Sequence, residues 1–190
     1  EEYELEETKP YSDYIKWLEE QDKEEGKSYW EQYLDGYEEK AQIPKLQITK
    51  NNSEYLRREK VIEFSNELTN KITQLANRNS VTFNTVFQSI WGIILAKYNN
   101  TDEVVFGTIV SGREAPVDGI EKMIGLFINA IPTRINLGKN QKFKEVLTVV
   151  QSEAIASNNY NYMNLAEVQA MSKLKNDLID HIIVFENYAV

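Results

Sequence analysis

The 190-residue sequence contains no cysteine. This excludes disulfide frameworks, thiolate zinc sites and cysteine nucleophiles together, and it points to a reducing compartment, the cytoplasm. Histidine occurs once, at His181, so any chemistry that needs paired histidines fails inside this chain, and His181, in a strand-like run, is expected to pack in the core. The longest apolar stretch, Ser89 to Ala96, falls far short of the ~20 residues of a membrane helix. Glu1 to Glu7 is acidic and lacks the basic-then-apolar order of a secretory signal.

Positive charge is also scarce: 21 Lys and Arg stand against 30 Asp and Glu, a formal net charge of −9. A phosphate backbone or an anionic bilayer selects for clustered cations, so neither nucleic acid nor membrane is an expected partner. Phosphate-cradling sequences are missing. Neither Gly107 nor Gly112 is followed by a Gly-Lys-Ser/Thr triplet, and their spacing does not fit a dinucleotide fingerprint. Ser111 lies outside a Gly-x-Ser-x-Gly elbow, which removes a serine triad. Acid pairs such as Glu19-Glu20 and Glu38-Glu39 read as solvated helical surface. No metal ligand set is expected.

What is present suits a packed α/β unit, since 42% of residues are hydrophobic and 11% aromatic. Tyr14, Ile15, Trp17, Leu18 and then Tyr29, Trp30, Tyr33, Leu34 recur at helical spacing, predicting two helices, or one broken near Gly26, within residues 1–40. Residues 41–53, with Pro44, Asn51 and Asn52, are expected to form a surface connection. A strand is predicted from Arg58 to Phe64, ending at an N-cap, Ser65, that opens a helix through Leu68, Ile72 and Leu75. Thr82 is expected to cap a helix from Phe83 to Tyr98, with Val86, Phe87, Ile90, Ile93, Ile94 and Ala96 on its buried face. Strands are predicted over Glu103–Ile109, over Leu126–Ile135, where Pro132 indicates an edge or a bulge, and over His181–Phe185. A loop covers Ser111–Gly119, and helices follow at Phe143–Ser157 and Leu165–Met171. The order implies a mixed sheet with helices packed on it.

Two blocks are distinctive: Val104-Val105-Phe106-Gly107-Thr108-Ile109-Val110-Ser111-Gly112-Arg113, and Met123-Ile124-Gly125-Leu126-Phe127-Ile128-Asn129-Ala130-Ile131-Pro132-Thr133-Arg134-Ile135. They resemble the condensation domains of nonribosomal peptide synthetases, in which a strand ends in Ser-Gly-Arg or Ala-Gly-Arg and an Ile-Gly-x-Phe-hydrophobic-Asn-Thr segment closes on Arg. Ala130 stands where Thr is common. Tyr11 to Leu18 with Tyr29 to Leu34 looks like the segment that precedes these blocks. Tyr160-Asn161-Tyr162-Met163-Asn164-Leu165-Ala166-Glu167 looks like a divergent form of the segment that follows, with Asn161 where His is frequent.

The resemblance implies one lobe of a chloramphenicol-acetyltransferase-like fold, with residues 1–190 as a single lobe making up most of the C-terminal subdomain and cut from something larger. It implies antibiotic or secondary-metabolite biosynthesis, in which amide bonds form between acyl or aminoacyl donor and aminoacyl acceptor thioesters. The phosphopantetheine arms of carrier proteins present these as substrates, and no cofactor is bound directly. Implied partners are the N-terminal lobe, peptidyl carrier proteins and an adjacent adenylation domain. The family's His-His-x-x-x-Asp-Gly signature is absent from these residues, so no catalytic residue is expected here and the isolated piece is expected to be inactive. Ser111, Gly112, Arg113, Gly125 and Asn129 are the candidates for the substrate channel or lobe interface. Arg113 is expected either to anchor the signature's Asp across the lobes or to be a surface arginine. Asn129 is expected to line the channel, the alternative being a strand-end backbone contact. The competing reading is a non-catalytic module of the same fold that docks carrier proteins or a neighbouring domain.

Overall fold

A computed structural model describes residues 7–44 and 57–186. Helices α1 (Ser12–Glu19) and α2 (Lys23–Leu34) are followed by α3 (Asn66–Asn79), α4 (Phe83–Asn99), strand β1 (Glu103–Ser111), strand β2 (Ile128–Asn136), α5 (Phe143–Asn158), α6 (Leu165–Met171) and the short strand β3 (Ile182–Ile183). The sheet order is β2-β1-β3. β3 runs parallel to β1, with Gly107 opposite Ile182. At opposite ends of β1, Gly112 N–H donates to Phe127 O and Asp102 O accepts from Leu137 N–H, so β1 and β2 are antiparallel and the sheet is mixed, as the sequence predicts. Pro132 sits on β2, the edge strand among the described residues, where its missing N–H costs no ladder bond.

The chain divides into two compact units. The first holds residues 1–41, 105–134 and 153–190, and the second holds 42–104 and 135–152. The first unit is centred on Trp30, Leu34, Tyr37, Val105, Ile131, Met163, Val168 and Leu178, all buried. The break between α1 and α2 falls at residues 20–22, ahead of the expected position. Asp22 accepts from the N–H groups of Glu24 and Glu25 and so starts α2. Gly26 lies inside α2, against Met163 and Tyr162.

In the second unit the Ser65 and Thr82 caps form as predicted, accepting from Leu68 N–H and Thr85 N–H. Asn100, in the left-handed region at φ 51°, ends α4. Ala76, Val86 and Leu147 make the buried centre, flanked by Ile72, Leu75, Val81 and Phe143.

Three expectations are corrected. Residues 58–64 form no strand, and Val61 and Ile62 are 75% and 69% exposed. Alternation gives a segment a face, but a strand also needs a ladder partner, and none pairs with it among the described residues. The buried side of α4 is Thr85, Val86, Gln88, Ser89, Gly92, Leu95 and Ala96, whereas Ile90 and Ile94 are exposed and Trp91 is half-buried. The helix approaches Ile135 so closely that a Cβ at Gly92 would lie 2.5 Å from its Cδ1. Close backbone approach selects the small side of the helix over its most apolar side. The last strand is two residues long rather than five: Ile182 and Ile183 stand in register with Gly107 and Thr108 of β1. Of the expected surface connection, residues 41–44 have no regular structure, Ala41 among them is buried, and 45–53 lie outside the described residues. Among the described residues no helix is long and apolar enough to cross a membrane.

Candidate functional site

The site assembles inside the first unit, where β1 ends and β2 begins. β1 delivers Ser111, whose exposed side chain accepts from Arg113 N–H and opens a single 3-10 turn over Gly112–Glu114. Gly112 is buried, and its N–H donates to Phe127 O at 2.6 Å, tying the Ser-Gly-Arg turn to the start of the second block.

Arg113 reaches back along its own loop. Nη1 donates to Ile120 O at 2.5 Å and Glu121 O at 3.4 Å, and Nη2 donates to Met123 O at 3.0 Å. The guanidinium carbon lies 4.2 Å from the centre of the Phe127 ring, a cation–π contact. A loop with little regular structure has few main-chain partners for its carbonyls, and the fixed guanidinium fork bonds three of them at once, Ile120 O among them alongside its bond from Met123 N–H. Ile120, Met123 and Phe127 are buried beneath it with Tyr14.

Asn129 is similarly committed. Its Nδ2 donates to Asn161 O and Met163 O, both at 2.7 Å, and its Oδ1 accepts from Ala130 N–H. The strand-end backbone contact is therefore made, and it brackets β2 to the turn before α6. Arg134 closes the block in the same manner: Nη1 donates to Tyr33 O and Asp35 O at the C-terminal end of α2, where carbonyls lack helical partners. Its backbone N–H donates to the Tyr33 hydroxyl. Burial, followed by the nearby Glu153, holds the Tyr33 phenol well above its ordinary range, so it remains neutral. Both arginines of the blocks are thus spent on main-chain oxygens.

The fourth block joins them. Trp30 Nε1 donates to Tyr160 O at 3.2 Å, Tyr29 stacks on Tyr160 with centroids 4.3 Å apart, and the Tyr29 hydroxyl bonds Ser157 Oγ at 2.7 Å. The four stretches carrying the resemblance, with bonded residues as far as 130 apart in sequence, converge in one unit.

Sequence reasoning missed two features. Ile124, Leu126 and Ile128 are 86%, 71% and 57% exposed, while Phe127 is buried. The strand predicted from Leu126 begins at Ile128 instead, and the alternation around Phe127 carries the signal for which side is buried. The helical spacing accounts for Tyr14 only as a helix face and for Tyr11 not at all, yet the two fill the spaces over Gly112 and Gly125. No local pattern announces such a pairing.

His181 packs as expected. Its ring stacks on Phe106, and Nδ1 is 3.7 Å from Asp180 Oδ2. Burial lowers its pKa, with Asp180 acting in the opposite direction. The unfolded chain, with a pKa of about 6.5, therefore takes up the proton first. Stability contributed by neutral His181 is complete above about pH 6.5 and declines as pH falls below it. Urea unfolding at pH 7.5 and 5.5 is expected to show a smaller acid-side loss for His181→Phe than for the wild type, and equal losses would contradict this. Among the described residues no group of three or more His, Asp or Glu converges as a metal site.

Comparison with known proteins gives a consistent result. The family model described as Condensation domain matches residues 1–190. The chain is 65% identical over 188 residues to Bacitracin synthase 3 of Bacillus licheniformis, covering 99% of the chain and 3% of that protein. It is 48% identical over 181 residues to Tyrocidine synthase 3 of Brevibacillus parabrevis, covering 95% of the chain and 3% of that protein. The chain therefore spans only a few hundredths of the length of these relatives. Its fold is similar to the first condensation domain of the CDA synthetase, with a TM-score of 0.68 at 15% identity over 87% of the chain and 35% of that structure. It is also similar to a four-domain nonribosomal peptide synthetase, with a TM-score of 0.67 at 18% identity over 90% of the chain and 13% of that structure.

Proposed function

The chain belongs to the condensation domain family, and on that premise we propose that it is most of the C-terminal subdomain of a peptide synthetase condensation domain. In the reaction of the complete domain, the acceptor amine attacks the donor thioester carbonyl. A C–N bond forms, the C–S bond breaks, and the amine's proton ends on the released thiol of the donor's phosphopantetheine arm. These 190 residues contribute a channel wall and no catalytic residue. The partners are the N-terminal lobe, two peptidyl carrier proteins that present the arms as substrates, and an adenylation domain, all in the cytoplasm.

The observation that carries the reading is the convergence of the four family blocks. Tyr11 bonds Leu126, Gly112 bonds Phe127, Asn129 bonds Asn161 and Trp30 bonds Tyr160. The result is a fixed ridge that presents Ser111 and the Ile124, Leu126, Ile128 row to solvent. Arg113, Asn129, Gly112 and Gly125 build that ridge, while Ser111 and the apolar row face the substrates or the other lobe. Both block arginines bond main-chain oxygens and the exposed row is apolar, so the wall guides by shape and apolar contact. Orienting two tethered reactants is worth several kcal/mol of barrier, and one wall alone does not orient them.

Purified as residues 1–190 and mixed with two loaded carrier proteins, the chain is expected to form no dipeptidyl thioester above background. A longer polypeptide that includes a His-His-x-x-x-Asp-Gly segment is expected to form it. Product from the short chain would refute the division of labour. Carrier binding without product from the longer one would replace amide formation with the docking-module reading.

A further inference from the structure

The two signature glycines, Gly112 and Gly125, are each occupied from outside by a tyrosine of the chain's opening helical segment. A Cβ on Gly125 would overlap the Tyr11 ring, and one on Gly112 would overlap Tyr14 Oη and lie 3.1 Å from Phe127 O. The Tyr11 hydroxyl donates to Leu126 O at 2.5 Å. Phe127 lies between them: its ring meets Tyr11 edge-on at 5.2 Å, Tyr14 at 4.7 Å and the Arg113 guanidinium at 4.2 Å. Burial, followed by the neighbouring Tyr11, raises the Tyr14 pKa, so no charge enters the cluster from that phenol at neutral pH.

We infer that Tyr11 and Tyr14 are positioning residues for the Gly125–Asn129 ridge, which they hold through the rings seated on Gly125 and Gly112 and the Tyr11 hydroxyl on Leu126 O. Two considerations lead there. Residues 124–127 precede β2 and form no regular strand; Phe127 O is held by the Gly112 N–H, and Leu126 O by the Tyr11 side chain. Each glycine also leaves room for part of a tyrosine, the Tyr11 ring at Gly125 and the hydroxyl end of Tyr14 at Gly112, a fit that any other residue at 112 or 125 closes. The segment cannot shift toward α1 without ring overlap, and moving away breaks the Tyr11 bond. Leu126 and Ile128 on the exposed side take their positions from this clamp, although neither tyrosine reaches that side.

The inference rests on the proposed function for its kinetic consequence but not for its structural one, and the experiment separates them. Tyr11→Phe keeps the ring on Gly125 and removes only the hydroxyl bond; Tyr11→Leu removes both the ring and the bond. Both variants are prepared in the complete condensation domain. Hydrogen exchange of residues 124–129, melting temperature, and kcat and KM for both loaded carrier proteins are then measured. For Tyr11→Phe, faster exchange at 124–129 and a fall in kcat of about tenfold are expected, with KM within about twofold, because misplacing a positioning element costs rate rather than binding. Tyr11→Leu is expected to extend both effects in the same direction. Unchanged exchange in both variants overturns the inference, as does unchanged kcat in an active domain. A kcat loss that merely follows the loss of folded protein also overturns it. If the wild-type domain makes no amide while exchange rises in the variants, the proposed function falls and the clamp stands.

Discussion

Replacing Trp30 with alanine is expected to lower the unfolding free energy by about 3 to 5 kcal/mol, the range for emptying a fully enclosed aromatic site. Trp30 has no solvent exposure and is the largest fully buried side chain of the described residues. It meets Tyr29 and Tyr33 edge-on at 5.1 and 5.4 Å. Its indole N–H donates to Tyr160 O, which also accepts from Met163 N–H, so truncation leaves a cavity and removes one of the two bonds to that carbonyl. Trp30→Phe retains most of the ring contacts and is expected to cost roughly half as much, about 2 kcal/mol, because only part of the volume and one hydrogen bond are lost. Urea unfolding followed by far-ultraviolet circular dichroism measures both. A loss below about 1 kcal/mol for the alanine variant would show that this unit is not centred on Trp30, since surface substitutions fall within that range.

Arg113→Ala is expected to cost about 2 to 4 kcal/mol, from three charge-assisted bonds to carbonyls that are then left partly unpaired and from the lost contact with Phe127. Its loss is expected to loosen residues 114–124 in particular, because the three accepting carbonyls belong to that loop. Arg113→Lys is expected to restore less than half of the stability, since an ammonium cannot span several carbonyls as the planar fork does. Melting temperature and limited proteolysis between Ala115 and Met123 provide the measurement. Stability unchanged in the alanine variant, with weaker carrier binding in the complete domain, would make Arg113 a substrate contact. An aspartate from the other lobe, proposed as a further partner, would add to this cost only in the complete domain. Comparing the loss there with the loss in the 190-residue chain isolates that contribution.

Much of the local structure was legible because it is decided locally. Ser65 and Thr82 cap helices because a hydroxyl three residues ahead of an unpaired N–H needs no distant partner. Residues Leu165–Met171 form a helix within the predicted bounds, and His181 packs on an aromatic ring. For the candidate site the sequence offers residues but not their contacts. Ser111, Gly112, Arg113, Gly125 and Asn129 do lie in one unit, yet Arg113 and Asn129 are bound to main-chain oxygens of Ile120, Met123, Asn161 and Met163. Nothing in the spacing of side chains along a sequence states which backbone carbonyls will lack partners after folding.

The sequence by itself determined the fold class, the positions of most helices and of β1, and the grouping of blocks that marks the family. These follow from propensity, periodicity and residue type, which act over a few neighbours. Only the tertiary structure decided that residues 58–64 would not form a strand and that α4 would turn Thr85, Ser89 and Gly92 inward instead of Ile90 and Ile94. It likewise decided that Tyr11 and Tyr14 would seat themselves on glycines 114 and 98 residues further along. Each of those outcomes depends on a distant partner. A strand requires another backbone to bond, a helix face is chosen by how closely a strand approaches, and a glycine's empty space acquires meaning only from the ring that fills it.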